Sequence, residues 1–156
     1  MGVRTIVISS SDEKLEHIVS LGAGATINYR ANENWEHAVL SMTDGRGVDR
    51  VVEVGGPGTL ERSIEAARVE GVIALVGTLT GPSGKVAPTA LMRKSITLRG
   101  IYVGSRAMFA EMNRAIEAHA LRPVIDSRYS FEDAQDAYRK MRSAAHIGKV
   151  VIGING

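Results

Sequence analysis

Short apolar runs alternate with more polar, periodic segments over most of the chain. Apolar and β-branched residues cluster at 3–8, 25–28, 48–56, 72–77 and 95–104. Between these runs, apolar residues recur at spacings of three and four, which is the period of an amphipathic helix. A strand that leads directly into a helix is the repeating half of a parallel α/β sheet. The pattern therefore predicts an α/β fold, a doubly wound parallel sheet with helices on both faces.

Boundary signals support this alternation. The serines at positions 9–11 and Asp12 offer an N-cap for the first helix. Glycines at 22 and 24 end that helix. Further helices are predicted at 33–42, from Pro57 to about residue 67, at 106–120 and at 131–143. The segment 78–90, rich in Gly, Pro, Ser and Thr, is predicted as a loop, and 122–131 and 148–154 as extended segments.

Composition narrows the functional classes. The chain has 156 residues, 44% of them hydrophobic, and no apolar run long enough to span a membrane. It has no cysteine, which excludes disulfides and thiolate zinc sites within this sequence and fits a reducing compartment. The net charge is +2 and 4% of the residues are aromatic, with no basic block, so nucleic acid is not an expected partner. No secretory signal is visible, and cytoplasmic localisation is expected.

Three glycine clusters are candidates for phosphate binding, but none has a complete motif. Gly22–Gly24 precedes a strand and lacks the third glycine of a dinucleotide fingerprint. The pair Gly84–Lys85 lacks the serine or threonine that completes a P-loop. Gly55–Gly58 follows a predicted strand and precedes a helix, which suits either the approach of a ligand or a simple tight turn.

The sequence contains no motif for catalysis or metal binding. Its four histidines are scattered and show no paired-ligand spacing. The serines at 9–11 lack the flanking glycines of a nucleophile elbow. Motif analysis therefore identifies no catalytic residue and no metal ligand.

Four segments together resemble the C-terminal part of the medium-chain dehydrogenase/reductase superfamily, which includes the zinc-type alcohol dehydrogenases and the quinone oxidoreductases. They are VISSSDEKLEHIVSLGAGATINYR (7–30), GRGVDRVVEVGGPGTLERSIEAARVEGVIALVG (45–77), RKSITLRGIYVGSR (93–106) and FEDAQDAYRKMRSAAHIGKVVI (131–152). Each segment is modestly specific, but all four occur in the family's order and cover nearly the whole chain.

The resemblance implies the cofactor-binding portion of an NAD(P)-dependent oxidoreductase that acts on alcohols, aldehydes, ketones or quinones. Residues 1–121 would form a partial Rossmann domain, and residues 122–156 would be the C-terminal segment of the GroES-like catalytic domain. The first Rossmann strand, its glycine-rich turn and the catalytic domain are expected to be missing, which predicts a truncated chain that is inactive on its own. Zinc would be present only if the missing domain supplied it. The alternative is a non-catalytic nucleotide-binding or interaction module that acts through assembly with a partner.

The end of the first visible strand determines the cofactor preference that the resemblance implies. In Rossmann domains an acidic residue at this position binds the ribose 2′-hydroxyl and repels a 2′-phosphate. The aligned residue here is Ser9, followed by Ser10 and, one turn later, by Lys14. Hydroxyl and ammonium groups can bind a phosphate, so NADP is favoured over NAD. A helix-capping serine cluster beside a solvated lysine is the alternative interpretation, and it is compatible with either cofactor.

The resemblance implies a further set of cofactor-binding residues, most of them at the carboxyl ends of strands, where ligands bind in parallel α/β sheets. They are Tyr29 in the adenosine pocket, Gly55 and Gly56 beside the adenosine ribose, Val76, Gly77 and Thr78 near the nicotinamide ribose and ring, Ile101, Tyr102 and Val103 at the carboxamide, and Lys149 near the pyrophosphate. For Tyr29 a surface role, and for Lys149 a structural role, are open alternatives. None of these residues is implied to be catalytic.

The resemblance also implies unpaired strand edges. Rossmann strand order places a strand that this chain lacks between 3–8 and 48–56, so these two strands are expected to face a gap or to pair directly. In the zinc alcohol dehydrogenases the strand that matches 95–104 pairs with its twin across a dimer. The expected state is a homo-oligomer through the edge strand 95–104, or a marginally stable chain, without a membrane partner.

Overall fold

The computed structural model describes residues 2–154, in which strands and helices alternate from end to end. The strands are β1 (Ile6–Ser9), β2 (Ala25–Asn28), β3 (Val48–Glu53), β4 (Ala67–Leu75), β5 (Thr97–Gly100), β6 (Ile125–Tyr129) and β7 (Lys149–Ile152). The helices are α1 (Asp12–Ser20), α2 (Trp35–Met42), α3 (Leu60–Ala66), α4 (Pro88–Arg93), α5 (Arg106–Ala118) and α6 (Ala134–Arg142). Within residues 2–154 every strand pair is parallel, which confirms the predicted α/β class. No helix in this range is long and apolar enough to cross a bilayer.

The chain divides into two compact units, the first ending at Val103 and the second beginning at Gly104. The first unit contains β1 to β5 with α1 to α4. The second contains α5 and the parallel pair β6–β7, against which α6 packs. The predicted domain limit between residues 121 and 122 stays a prediction.

The first unit contains two parallel sheets. In one, β1 pairs with β2, and in the other β4 lies between β3 and β5. In the described part of the chain no ladder joins β1 to β3, so each of these strands keeps one unpaired edge. β1 and β3 were expected either to face a gap or to pair directly, and the structure shows no direct pairing between them.

The first helix begins at Asp12, but Ser11 caps it. The Ser11 hydroxyl accepts a hydrogen bond from the Lys14 N–H at 3.4 Å, and its backbone is extended, as an N-cap requires. The Asp12 carboxylate instead accepts a hydrogen bond from the Asn28 side-chain amide at 2.7 Å. Among the N-cap residues that the sequence offered, Ser11 is therefore the cap, and the expectation that Asp12 caps the helix is wrong because Asp12 already lies in the first helical turn.

The segment around Ala67 also differs from its prediction. Ala67 is extended and starts β4, well before the strand predicted at 72–77. The ladder to β3 jumps from Ala67 to Val72, which leaves a bulge between them. Gly71 lies in this bulge, where a Cβ atom would be 2.8 Å from the carbonyl oxygen of Arg68. The close approach of the backbone to itself explains why glycine occupies this position.

The edge strand predicted at 95–104 is shorter in the structure. β5 ends at Gly100 because its partner β4 ends at Leu75, the residue that pairs with Gly100. The N–H of Ile101 still donates to the Leu75 carbonyl oxygen at 2.9 Å, and the ladder then stops. The length of β5 is thus determined by its neighbour and not by its own apolar run.

The segment predicted as a loop, 78–90, ends in a helix. α4 begins at Pro88, in the first turn, where the missing N–H of proline has no helical partner to lose. Val86 and Ala90 pack against the apolar cluster that surrounds α3. Tertiary packing therefore orders a stretch whose composition is typical of a loop.

Two apolar clusters form the core of the first unit. The first comprises Ile27, Trp35, Val39 and Ala66, and the second comprises Leu60, Ile64, Ala67 and Ile73. Ala66 and Ala67 are consecutive, so the end of α3 connects the two clusters. Burial of each large apolar side chain contributes about 1.5–3 kcal/mol.

Candidate functional site

The ends of β1 and β2 bring two of the predicted site residues together. The Ser9 carbonyl oxygen accepts a hydrogen bond from the Tyr29 N–H at 3.0 Å. The Ser9 hydroxyl accepts another from the Ser11 N–H at 3.3 Å, which leaves its own proton for a further partner. Ser10 and Lys14 follow in the same loop and in the first turn of α1, and both are half-buried. Tyr29 is 42% exposed.

A buried carboxylate that the sequence analysis did not identify organises the turn after β3. Glu53 is only 4% exposed. Its Oε1 atom accepts hydrogen bonds from the N–H groups of Gly55 (2.7 Å) and Gly56 (2.9 Å). The same oxygen accepts from the Thr59 hydroxyl at 2.7 Å, and Oε2 accepts from the Ser63 hydroxyl. Four donors therefore compensate the desolvation of this carboxylate.

Gly55 and Gly56 have no backbone polar group left for a ligand. Their N–H groups donate to Glu53, as described above. The Gly55 carbonyl oxygen accepts from both the N–H and the hydroxyl of Thr80, each at 2.8 Å. The Gly56 carbonyl oxygen accepts from the Thr59 N–H at 3.0 Å and from the next N–H along the chain at 2.9 Å. A ligand at this turn would therefore meet it by close contact and not through hydrogen bonds to its backbone.

The turn after β4 packs directly on the turn after β3. A Cβ atom on Gly56 would lie 2.8 Å from the Cα of Thr78, and one on Gly77 would lie 2.6 Å from the Val54 carbonyl oxygen. Both distances are too short for a side chain, so the glycines are required by the packing of one turn on the other. The structure thus brings the predicted residues of these two turns together. Close packing of the turns explains the glycines at positions 56 and 77 without any ligand.

Two side chains of the second turn remain available at its surface. Val76 is 40% exposed. Thr78 is exposed, and its hydroxyl makes no hydrogen bond within residues 2–154. The pair of turns therefore presents an apolar surface next to a hydroxyl group that can donate or accept.

The remaining predicted residues lie after β5 and in the second unit. Ile101 is 42% exposed, Tyr102 97% and Val103 75%. The N–H of Ile101 already donates to the Leu75 carbonyl oxygen, so a backbone contact with a carboxamide would have to use the other backbone groups of this segment. Lys149 is the first residue of β7 in the second unit, and its side chain is exposed. Its predicted contact with a pyrophosphate stays a prediction.

Charged side chains cluster at the opposite, amino-terminal end of β3. Hydrogen bonds from Arg68 and then Arg46 lower the pKa of Asp49 to about 2. In the second unit, a hydrogen bond from the Ile147 N–H is the main cause of a lowered pKa of Asp126. Among residues 2–154 no three His, Cys, Asp or Glu side chains are grouped so that they could hold a metal ion.

Part of the hydrogen-bond network around Glu53 could have been recognised in the sequence. Glu53 interrupts an apolar strand, and an acid at a buried strand position needs donors. Thr59 and Ser63 follow four residues apart, on one face of the next helix. Thr80 has no comparable local signal, because the Gly58 and Gly55 groups that it binds lie 22 and 25 residues away.

Known proteins match nearly the whole chain in sequence and in structure. The family model described as zinc-binding dehydrogenase matches residues 21–152. A zinc-type alcohol dehydrogenase-like protein of Schizosaccharomyces pombe is 40% identical over 99% of this chain and 46% of its own length. A solved NAD-dependent alcohol dehydrogenase has a TM-score of 0.89 and 28% identity, over 99% of this chain and 45% of its own. A mycobacterial protein solved with NADPH has a TM-score of 0.79 and 28% identity, over 97% of this chain and 50% of its own.

The coverage of these relatives is one-sided. The chain spans about half the length of the proteins that it matches, at 46%, 45% and 50%. About half of each of these relatives therefore has no counterpart in the matched residues.

Proposed function

The chain belongs to the zinc-binding dehydrogenase family, in agreement with the resemblance noted from the sequence, and from this premise we propose that its first unit binds a nicotinamide dinucleotide. It would be the cofactor-binding portion of an oxidoreductase that acts on alcohols, aldehydes, ketones or quinones. Two relatives support the class of cofactor, since one is described as an NAD-dependent alcohol dehydrogenase and another was solved with NADPH.

The observation that carries this proposal is the pair of interlocked turns at the carboxyl ends of β3 and β4. This edge is where ligands bind in parallel α/β sheets. Buried Glu53 and exposed Thr80 hold the turns through hydrogen bonds within the protein, and these bonds shape the surface formed by Gly55–Gly56, Val76 and Thr78. The cofactor would pack on the glycine turn by shape and use the Thr78 hydroxyl as a polar contact.

Binding of NADPH to the purified chain tests the proposal, with calorimetry or nucleotide fluorescence as the assay. Thr78→Val removes the available hydroxyl at nearly constant volume and should weaken affinity about fivefold, the value of one neutral hydrogen bond of about 1 kcal/mol. Thr89→Val is the matched control, because Thr89 is exposed on α4 and its hydroxyl makes no hydrogen bond in the described residues. A chain that binds neither NADPH nor NADH would refute the proposal.

We propose further that NADPH is preferred over NADH. The support is a hydroxyl cluster at Ser9 and Ser10 with Lys14 one turn later, and the nearby acid, Asp12, is engaged by the Asn28 amide. Ser9→Asp should shift the ratio of affinities towards NADH by at least about tenfold, because a charge-assisted phosphate contact of roughly 1.5–3 kcal/mol is lost. Ser41→Asp, on the exposed side of α2, adds the same charge elsewhere. An unchanged ratio in Ser9→Asp would contradict the preference.

Catalysis would require the half of the relatives that has no counterpart here. The hydride belongs to the cofactor, and proton transfer would come from residues of a catalytic domain to which residues 122–156 contribute the final segment. The described residues do not fit the zinc that the family's description implies, since they contain no ligand set. We therefore propose that the 156-residue chain has no turnover of its own. Steady-state oxidation of alcohols by the pure chain would contradict this.

A second candidate function, an interaction module, is favoured by one observation. Val52, the penultimate residue of β3, is 72% exposed, and β1, β3 and β5 each keep an unpaired edge in the described residues. Exposed apolar strands with free edges favour association with another chain. We propose that the chain is a homo-oligomer, with β5 as a candidate interface, because β5 pairs only with β4 in the described residues and its other edge is unpaired.

A further inference from the structure

The first unit contains one buried carboxylate at the edge proposed to bind the cofactor, and neither the family comparison nor the sequence motifs give it a role. We propose that Glu53 is a positioning residue that holds both turns in the shape on which the cofactor packs. This inference rests on the proposed function, since it concerns the same edge of the sheet. Glu53 itself would not touch the cofactor, because it is 4% exposed and lies beneath the turn.

The carboxylate of Glu53 holds the first turn. Its four partners, two backbone N–H groups and two hydroxyls, all act as donors, so both oxygens serve only as acceptors. Within residues 2–154 no ion pair reaches it. The side chain therefore connects the end of β3, the glycine turn and α3 through hydrogen bonds alone. A side chain without two acceptor oxygens cannot accept from all four of these donors.

The backbone of the same residue holds the second turn. The Glu53 carbonyl oxygen accepts from the N–H of Val76 at 2.9 Å and from the N–H of Gly77 at 3.3 Å. One residue thus fixes the glycine turn through its side chain and the start of the next turn through its main chain. Thr80 completes the connection by accepting from the Gly58 N–H at 2.8 Å while donating to Gly55.

This arrangement has a specific consequence for binding. The backbone groups of Gly55 and Gly56 are all occupied, so the affinity of the turn for a ribose depends on its shape. A gap of about 0.5–1 Å at such a surface already loses about a quarter to a half of the van der Waals attraction of each contact. Loss of the Glu53 hydrogen bonds should therefore weaken the binding of NADPH and of NADH by the same factor. A change at Ser9 should instead alter the ratio of the two affinities.

Glu53→Gln tests the inference with little change in volume. The neutral amide oxygen has two lone pairs and cannot accept all three donors at the Oε1 position as the carboxylate does, and the amide nitrogen can only donate, so the Ser63 hydroxyl loses its acceptor. We expect both cofactors to bind about tenfold more weakly, with their ratio unchanged. Glu36→Gln is the matched control, because Glu36 is also a buried glutamate (8% exposed) but lies on α2. It should leave both affinities unchanged even where it lowers the unfolding free energy.

A second variant and a second readout keep the test decisive. Ser63→Ala removes only the donor to Oε2 and should weaken both cofactors by a smaller, equal factor of about three. The amide resonances of Gly55 and Gly56 in the isotope-labelled chain should move in Glu53→Gln and stay in place in Glu36→Gln. Moved resonances with unchanged affinities would overturn the inference, as would a loss of affinity that Glu36→Gln reproduces. A wild-type chain that binds neither cofactor would instead refute the proposed function, and the inference with it.

Discussion

Replacing Lys94 with methionine removes a cap from the end of α3. The Lys94 ammonium group donates to three backbone carbonyl oxygens, those of Ile64 (3.2 Å), Glu65 (2.6 Å) and Ala67 (3.1 Å). These carbonyls lie at the C-terminus of the helix, where a positive charge is favourable. The side chain of Lys94 is 23% exposed, so solvent screens this interaction only in part.

The expected loss in the free energy of unfolding depends on which of the three carbonyl oxygens can bind water once the ammonium group is gone. The Glu65 carbonyl is exposed and regains water after the substitution, whereas the contacts to Ile64 and Ala67 are partly buried. Hydrogen bonds from a charged donor are worth about 1.5–3 kcal/mol and the helix-end charge about 0.3–1 kcal/mol. We expect Lys94→Met to lower the free energy of unfolding by about 2 kcal/mol. The ion pair with the half-exposed Glu65 carboxylate adds at most about 0.5 kcal/mol.

Urea unfolding followed by tryptophan fluorescence measures this loss. Trp35 is the sole tryptophan of the sequence and is 6% exposed in the cluster that includes Ala66, so it reports on the first unit. With a slope of about 2 kcal/mol/M, the midpoint should fall by about 1 M. Lys85→Met, in the exposed loop before α4, is the control and should change stability by less than about 0.5 kcal/mol. If both variants unfold at the wild-type midpoint, the three contacts do not cap the helix.

Three further predictions concern backbone strain, pH and assembly. Gly47→Ala should destabilise the chain more than Gly45→Ala. Both glycines have a positive φ (84° and 76°), but only at Gly47 would a Cβ atom lie 2.8 Å from the Ala66 carbonyl oxygen. Equal unfolding midpoints of the two variants would contradict the clash. Because the pKa of Asp49 is lowered from 3.8 to about 2, chiefly by Arg68, its stabilising contribution is complete above pH 4 and is lost as the pH falls towards 2. Asp49→Asn should therefore flatten the pH dependence of the unfolding midpoint in this window, and an unchanged profile would count against the assigned interaction. Sedimentation should show an oligomer, or else urea unfolding should show a chain of marginal stability. A monodisperse monomer that unfolds cooperatively at an ordinary urea midpoint would refute the proposed assembly.

The local pattern of the sequence determined the types of elements and their order. β2 occupies the predicted Ala25–Asn28, and α2, α5 and α6 lie within the helices predicted at 33–42, 106–120 and 131–143. Periodicity and helix-stop signals act over a few residues, so they can be recognised without any tertiary contact. The parallel arrangement followed from the same alternation, because parallel strands need a crossover between them.

Tertiary structure decided the ends of the elements and the site. Ala67 has the spacing of a helical residue but pairs as a strand, and β5 stops where its neighbour stops at Leu75. The carboxylate of Glu53, a residue of a predicted strand, holds the glycine turn that follows, and Thr80 binds groups 22 and 25 residues away. Each of these outcomes depends on a partner that is distant in the sequence, or on the need of a buried polar group for donors. Such a requirement arises only once folding has removed water from the group.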